Sequence, residues 1–287
     1  MQPRKPGPSP RQVRARRAGA LVAILLAGGA TAVAVVVHRV GGRTSVPPRT
    51  STIVFPEGFT RRQMAARVGS AAASAARTSG RAFALTEQGY LRASAHVHIP
   101  CFGPAVRRSP EGFLFPATYD FTATTTPAQL VQAQVQAFCR NWSTVSLSYA
   151  RSKSLTRYDV LTIASMIERE VRIPEERPLV AAVVYNRLHA DMPLGLDSTL
   201  RYGLHLPATQ PILAAQLADS TLYNTRLHTG LPPTPIANPG LAAMRAAARP
   251  ARVDYLYFVL RPGTHRSFFT ASADDFYAYE CAHGYGC

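Results

Sequence analysis

One uncharged run near the start of this 287-residue chain limits its topology more than any other feature. Residues 18–37 read AGALVAILLAGGATAVAVVV and contain no ionisable side chain. A helix of about 20 apolar residues crosses a bilayer, and basic residues stay on the cytoplasmic side. Six basic residues precede the run. The sequence therefore predicts a single-pass anchor with a cytoplasmic N-terminus and with residues 38–287 outside.

A cleavable signal peptide is the competing interpretation of the same run. The residues Ala30, Thr31 and Ala32 have the composition of a cleavage site. The apolar region of a signal peptide is shorter, however, at about 7–15 residues. We therefore favour the uncleaved anchor.

The charge balance is strongly basic. The chain has 32 Lys and Arg against 16 Asp and Glu, a formal net charge of +16 at pH 7, and its only lysines are Lys5 and Lys153. Such a charge favours nucleic acid, anionic lipid or an anionic cell-wall polymer as partner. Because the predicted topology places most of the chain outside the cell, we exclude nucleic acid.

The cysteine count is consistent with an extracytoplasmic location. An even number of cysteines outside the membrane permits disulfides. The candidate pairs are Cys101 with Cys139 and Cys281 with Cys287, and free thiols are the alternative. No CxxC pair is present, so we predict no metal site.

The secondary-structure signals favour an α+β fold after a Gly/Pro/Ser/Arg linker at residues 38–51. Strand patterns lie near the two ends of the outer part, at Thr52 and at residues 255–260. Helical patterns fill the middle, and residues 71–80 read as a weak helix or a loop. Three of these helices have capping signals, which begin at Thr60, Thr126 and Thr156.

The helical pattern after Thr156 ends in two carboxylates, Glu168 and Glu170. Its apolar residues fall in one arc, which predicts the buried face: Val160, Ile163, Ala164, Ile167 and Val171. The two acids lie about 80° to either side of that arc, so they cannot act as a pair on one substrate bond. A single acid at the edge of an apolar face is partly desolvated and retains a proton that it can donate. Helix-end surface charge is the alternative interpretation.

Polar and aromatic residues follow in an arrangement that a packed core does not need. They include Asn186, Asp197, Tyr202, Tyr223 and Asn224, before a Pro-rich stretch at residues 230–240. A cleft for a sugar chain beside one acid would use such residues. Ordinary glycosidases use two carboxylates about 5–10 Å apart, and Asp197 is then the candidate for the second.

These segments together resemble the endolytic murein transglycosylases of the MltG (YceG-like) family. The resemblance extends from about residue 52 to residue 279. The matching segments include Phe55-Pro-Glu-Gly58, Glu111-Gly-Phe-Leu-Phe-Pro116, Ala164-Ser-Met-Ile-Glu-Arg-Glu170, Val183-Val-Tyr-Asn-Arg-Leu188, Tyr202-Gly203, Tyr223-Asn-Thr225 and Gly230-Leu-Pro-Pro233.

The resemblance implies a domain organisation and a cellular location. It divides the outer part into a shortened LysM-like part at residues 52–100 and a YceG-like catalytic domain at residues 101–287. The basic tail at residues 1–17, the anchor at 18–37 and the linker would precede them. The family is single-pass, so we expect the domain to face the cell wall from the bacterial inner membrane.

The resemblance also implies a reaction. The family cleaves the bond between N-acetylmuramic acid and N-acetylglucosamine within nascent glycan strands, leaves 1,6-anhydro ends and so terminates elongation. Glu170 would be the catalytic acid, with no metal and no cofactor. The predicted substrate-binding residues are Glu168, Asn186, Asp197, Tyr202, Tyr223 and Asn224. For the two asparagines scaffolding is the alternative, with Asn186 as a helix-end cap and Asn224 as support for a loop. Peptidoglycan strands and peptidoglycan synthases (penicillin-binding proteins) are the expected partners.

Several positions depart from the family pattern. Gly195-Leu-Asp-Ser-Thr199 stands where the family has Gln-x-Asp-Pro-Thr, Thr234 replaces a glycine, and Phe276 occupies the position of a histidine. These departures support an alternative, a non-catalytic wall-binding or scaffold protein of the synthesis machinery. A water-using muramidase with Asp197 as second carboxylate is a further alternative.

Overall fold

The computed structural model describes residues 50–103 and 109–285. The predicted basic tail, the membrane span at residues 18–37 and most of the linker lie outside these ranges. Among the residues that are described, no helix is both long and apolar enough to cross a bilayer. The described residues belong to one compact unit that begins at Thr50.

Helices dominate this unit, and two short antiparallel sheets of two strands each accompany them, which agrees with the α+β prediction. The helices are α1 (Arg61–Ser79), α2 (Glu87–Ala95), α3 (Pro127–Trp142), α4 (Ser148–Ser152), α5 (Arg157–Glu170), α6 (Arg177–His189), α7 (Asp197–Gly203), α8 (Ala214–Leu217), α9 (Leu241–Ala248) and α10 (Ala273–Ala282). The strands are β1 (Ser51–Val54), β2 (Thr118–Phe121), β3 (Tyr257–Leu260) and β4 (Ser267–Thr270).

The predicted helix starts are confirmed by their caps. Thr60, Thr126 and Thr156 each accept a hydrogen bond from the third residue of the helix, whose side chain in turn accepts one from the threonine N–H. Each capping box satisfies two backbone donors that a helix end leaves free. The three helices therefore begin where the sequence predicted.

The helix α1 includes the stretch for which the sequence left a weak helix and a loop open. The Ala/Ser-rich residues 71–79 continue it without a break, and Gly80 ends it in the left-handed region at φ 67°. Glycine adopts this conformation at no steric cost, so it is the usual residue after a helix end. Of the two interpretations of this stretch, the helix is therefore confirmed and the loop is not.

The strands β1 and β2 pair antiparallel, with Ser51 opposite Phe121 and Val54 opposite Thr118. The sequence did not predict β2, because its four residues form a strand only beside a partner far away in the chain. The second sheet pairs β3 with β4. The β1–β2 pair and a continuous core join residues on both sides of the predicted boundary at residue 100.

The helix α5 lies at the centre of this core. All of its residues from Val160 to Ile167 are buried, including Thr162 and Ser165. The predicted apolar arc was therefore too narrow. The reason is that α6, α7 and α9 all pack against α5, so it is enclosed on more than one side.

A disulfide joins Cys101 to Cys139, with the Cα atoms 5.6 Å apart. It connects a short 3-10 turn at Pro100–Phe102 to α3. The predicted pairing is thereby confirmed. A covalent link across a separation of 38 residues stabilises the fold by about 3–4 kcal/mol through the entropy of the unfolded chain. The other predicted partner, Cys287, lies outside the described residues.

Candidate active site

The two glutamates at the end of α5 have different neighbours. The Oε2 atom of Glu168 accepts a hydrogen bond from the N–H of Gly240 at 2.9 Å, and its Oε1 atom lies 3.6 Å from the Arg177 guanidinium. Burial raises the pKa of Glu168, while the Gly240 N–H and Arg177 oppose that rise. Glu168 therefore connects α5 to the start of α9 and to α6.

Glu170 points to the other flank, as the helical spacing predicted. Its carboxyl group is buried against Ser198 at the start of α7, with Asp197 and Arg169 nearby. Burial raises the pKa of this carboxyl, Asp197 raises it further, and Ser198 and Arg169 oppose the rise. A carboxyl in such surroundings retains its proton to higher pH than a free one, which is what a general acid requires.

A cleft of about 570 Å³ opens beside Ser198. Its lining includes the side chains of Arg61, Arg62, Glu111, Arg169, Ser198, Arg201, Tyr202 and His205. Four of these are arginines, so the cleft is positively charged and suits an anionic ligand. Glu170 does not line the cleft itself but lies against Ser198, which does.

Two tyrosines from the predicted set contact each other, and one of them, Tyr202, lines this cleft. The rings of Tyr202 and Tyr223 lie 5.1 Å apart between centroids, and Tyr223 shares a hydrogen bond of 2.8 Å with Thr234. Gly203 permits this packing, because a Cβ there would lie 2.6 Å from the Cβ of Tyr223. The adjacent Tyr-Gly pair in the sequence thus has a steric explanation.

The cleft wall includes a carboxyl group that sequence reasoning missed, that of Glu111. Glu111 is 3% exposed and accepts hydrogen bonds from the Arg61 N–H at 2.8 Å, the Asn238 amide at 2.7 Å and the Tyr202 hydroxyl at 3.2 Å. Burial raises the pKa of Glu111 to about 7, although these donors oppose the rise. The available signal was a glutamate directly before Gly112 and an apolar run, which the sequence analysis used only for the resemblance.

Asn238 holds the segments around Glu111 in place. Its Oδ1 atom accepts hydrogen bonds from the N–H groups of Gly112 and Leu114, both at 2.9 Å. Its amide also donates to the carbonyl of Phe59 at 2.9 Å. One buried side chain therefore connects three chain segments that are distant in the sequence, and it fixes one wall of the cleft.

Asp197 lies near Glu170 but faces solvent. It forms an ion pair with Arg226, and about half of each side chain is exposed. Its carboxylate is therefore engaged by Arg226 at the surface, and its role as second carboxylate stays a prediction.

The two predicted asparagines bond to backbone carbonyls. Asn224 is fully buried and its amide donates to Leu217 and Asp219 at 3.0 and 2.7 Å. The amide of Asn186 donates to Val253 and Tyr255 at 3.0 and 2.9 Å. Both placements agree with the scaffolding interpretation rather than with direct contact to a sugar.

Asn186 is also remote from Glu170. It lines a groove together with Leu155 and Asp159, near the beginning of α5. Glu170 ends the same helix, 11 residues after Asp159, a separation of about 16 Å along the axis. The structure thus brings Glu170, Asp197, Tyr202 and Tyr223 to one side and leaves Asn186 elsewhere.

Comparison with known proteins identifies relatives of this chain. Endolytic murein transglycosylases from Streptococcus pneumoniae are 32% identical over 254 residues, which cover 82% of this chain and 45% of the relative. The Bacillus subtilis enzyme of that name is 35% identical over 163 residues, 56% of this chain and 44% of the relative. The chain thus spans less than half the length of the curated relatives it matches.

A solved structure and a family model agree with these matches. The crystal structure of a YceG-like protein from Listeria monocytogenes superposes with a TM-score of 0.65 at 28% identity, and the match covers 79% of this chain and 75% of that one. The model of the YceG-like family matches residues 27–280. This match includes the helix end with Glu170 and the cleft beside it, and the chain therefore belongs to the YceG-like family.

Proposed function

We propose that this protein is an endolytic murein transglycosylase that cleaves between N-acetylmuramic acid and N-acetylglucosamine within glycan strands. The observation that carries the proposal is the buried carboxyl of Glu170 beside a basic, tyrosine-lined cleft. Membership of the YceG-like family and relatives named for this activity support it.

The environment of Glu170 suits both halves of the proposed reaction. In the first half, its proton moves to the glycosidic oxygen as the bond from that oxygen to C1 of the muramyl sugar breaks. In the second half, the C6 hydroxyl of the same sugar attacks C1, and its proton returns to Glu170. The substrate supplies its own nucleophile, so one carboxyl suffices and no water is consumed.

Tyr202 and Tyr223 provide the aromatic surface for sugar rings in this proposal. The hydroxyl of Tyr202 is held by Glu111, which fixes the orientation of the ring. The four arginines of the cleft suit the carboxylates of peptidoglycan stem peptides. Glycan strands are therefore the proposed partner, with peptidoglycan synthases and a membrane anchor at residues 18–37 as the proposed setting.

A water-using muramidase is the second candidate, because the cleft contains a further carboxyl. That carboxyl is Glu111, which lines the cleft, rather than the exposed Asp197 that the sequence suggested. A hydrolase would use a second carboxyl to activate water.

The two candidates give different products in water labelled with oxygen-18. Uncross-linked glycan strands are incubated with the protein, and the new muramyl ends are analysed by mass spectrometry. A transglycosylase leaves ends that are one water lighter and contain no label. Labelled reducing ends would establish the muramidase, and intact strands from a folded protein that binds glycan would establish the scaffold.

A further inference from the structure

Two buried polar atoms next to the cleft have no hydrogen-bond partner within the described part of the chain. They are Oε1 of Glu170 and Oγ of Ser198. The N–H and the hydroxyl of Ser198 both face the Glu170 carboxyl and favour its ionised form, but the Ser198 Oγ atom is not within hydrogen-bond geometry of the Glu170 Oε1 atom. Buried polar groups in folded proteins are almost always paired. The unpaired acceptor and the neighbouring hydroxyl are complementary, and rotation of the serine side chain would pair them.

The hydroxyl is suited to the ionised form of the acid. A serine hydroxyl donates one hydrogen bond, and a carboxylate accepts more strongly than a protonated carboxyl group. When Glu170 is protonated, its Oε1 atom is uncharged and accepts a hydrogen bond more weakly. When it has lost its proton, the same atom carries negative charge inside the protein and needs one.

We propose that Ser198 is a positioning residue whose hydroxyl donates to the Glu170 carboxylate after the first proton transfer. This inference rests on the proposed function and adds a specific residue to it. The bond forms as the proton leaves Glu170 for the glycosidic oxygen. It breaks when the C6 hydroxyl returns a proton to Glu170, so the cycle restores both side chains.

The charged groups around Glu170 do not replace this interaction. Asp197 on α7 is negative and opposes ionisation of Glu170, although Arg226 partly neutralises it. Arg169 on α5 favours ionisation, but its guanidinium also donates to the carbonyl of Gly58 at 3.3 Å. The backbone N–H of Ser198 is a fixed neutral donor to Glu170, whereas the Ser198 hydroxyl can rotate and so can respond to the loss of the proton.

The test compares wild type with Ser198→Ala and Ser198→Thr, the second of which retains the hydroxyl. The unit that begins at Thr50 has its own continuous core and is used for all measurements. The first readout is the protonated-carboxyl band of Glu170 in infrared titration, assigned by its loss in Glu170→Gln. The second is the pH profile of glycan cleavage.

We expect Ser198→Ala to raise the pKa of Glu170 by about one unit, because a donor to the carboxylate is lost. The basic limb of the kcat profile should move up by the same amount, and kcat should fall about tenfold with KM unchanged. Ser198→Thr should retain wild-type values in both readouts.

The two readouts separate this inference from the proposed function. An unchanged Glu170 titration in Ser198→Ala would overturn the role of Ser198, whether or not the protein cleaves glycan. Equal kcat losses in the Ala and Thr variants without a shift of the basic limb would also overturn it. A shifted titration in a protein that cleaves nothing would support the contact and refute the proposed function.

Discussion

The buried carboxyl of Glu111 should make the stability of this protein depend on pH in a measurable way. Burial raises its pKa from 4.5 to about 7 in the folded state. The folded protein therefore binds more protons than the unfolded chain between these values. The contribution of Glu111 is fully present below pH 4.5 and is lost as the pH rises through 7.

The size of the effect follows from the two pKa values. A difference of about 2.5 units, at about 1.36 kcal/mol per unit, amounts to about 3 kcal/mol. Glutamine has the same shape as glutamate. At position 111 its carbonyl oxygen can accept a hydrogen bond from the Arg61 N–H, and its NH2 group can donate one to the Tyr202 hydroxyl oxygen. Glu111→Gln should therefore fold and lack this pH dependence.

Urea unfolding at pH 4.5 and at pH 7.5 measures the effect. We expect the free energy of unfolding of Glu111→Gln, relative to wild type, to rise by about 3 kcal/mol between these two pH values. The exposed Glu175→Gln serves as a matched control and should show no such change. Parallel pH profiles for wild type and Glu111→Gln would refute the assignment of a raised pKa to Glu111.

Two further substitutions test the architecture around the site. Glu168→Gln removes the charge that faces Arg177, so the free energy of unfolding, measured thermally or in urea, should fall by about 2 kcal/mol. The rate of glycan cleavage should stay within a few-fold of wild type. A complete loss of cleavage would contradict the structural role of Glu168. Gly112→Ala places a Cβ 2.8 Å from Pro235 at φ +93° and should lower the free energy of unfolding by about 3 kcal/mol. Gly263→Ala, at φ +70° in open space, should cost about 1 kcal/mol, and equal losses would contradict the steric argument.

Local chemistry determined what could be predicted about the helices. The capping boxes at Thr60, Thr126 and Thr156 involve residues three apart, so the sequence displays both partners. The opposite flanks of Glu168 and Glu170 likewise follow from helical geometry alone. The strand β2 has no such local signal, because its hydrogen-bond partners are in β1, more than 60 residues earlier.

The candidate site was harder to predict because its contacts are long-range. Glu111 is hydrogen-bonded to Tyr202, which is 91 residues later in the sequence, and to Asn238, which is 127 residues later. No regular spacing in the sequence predicts such contacts. The sequence likewise left two roles open for Asn186 and Asn224, substrate binding and scaffolding. Their amides bond to backbone carbonyls, a role that depends on where the chain returns in space.

The most direct test of the central claim compares three proteins on the same substrate. Uncross-linked glycan strands are incubated with wild type, Glu170→Gln and Glu168→Gln, and the products are separated and weighed by mass spectrometry. We predict internal cleavage with 1,6-anhydro ends from wild type and Glu168→Gln, and intact strands from a folded Glu170→Gln. Cleavage by Glu170→Gln at the wild-type rate would contradict the assignment of Glu170 as the acid.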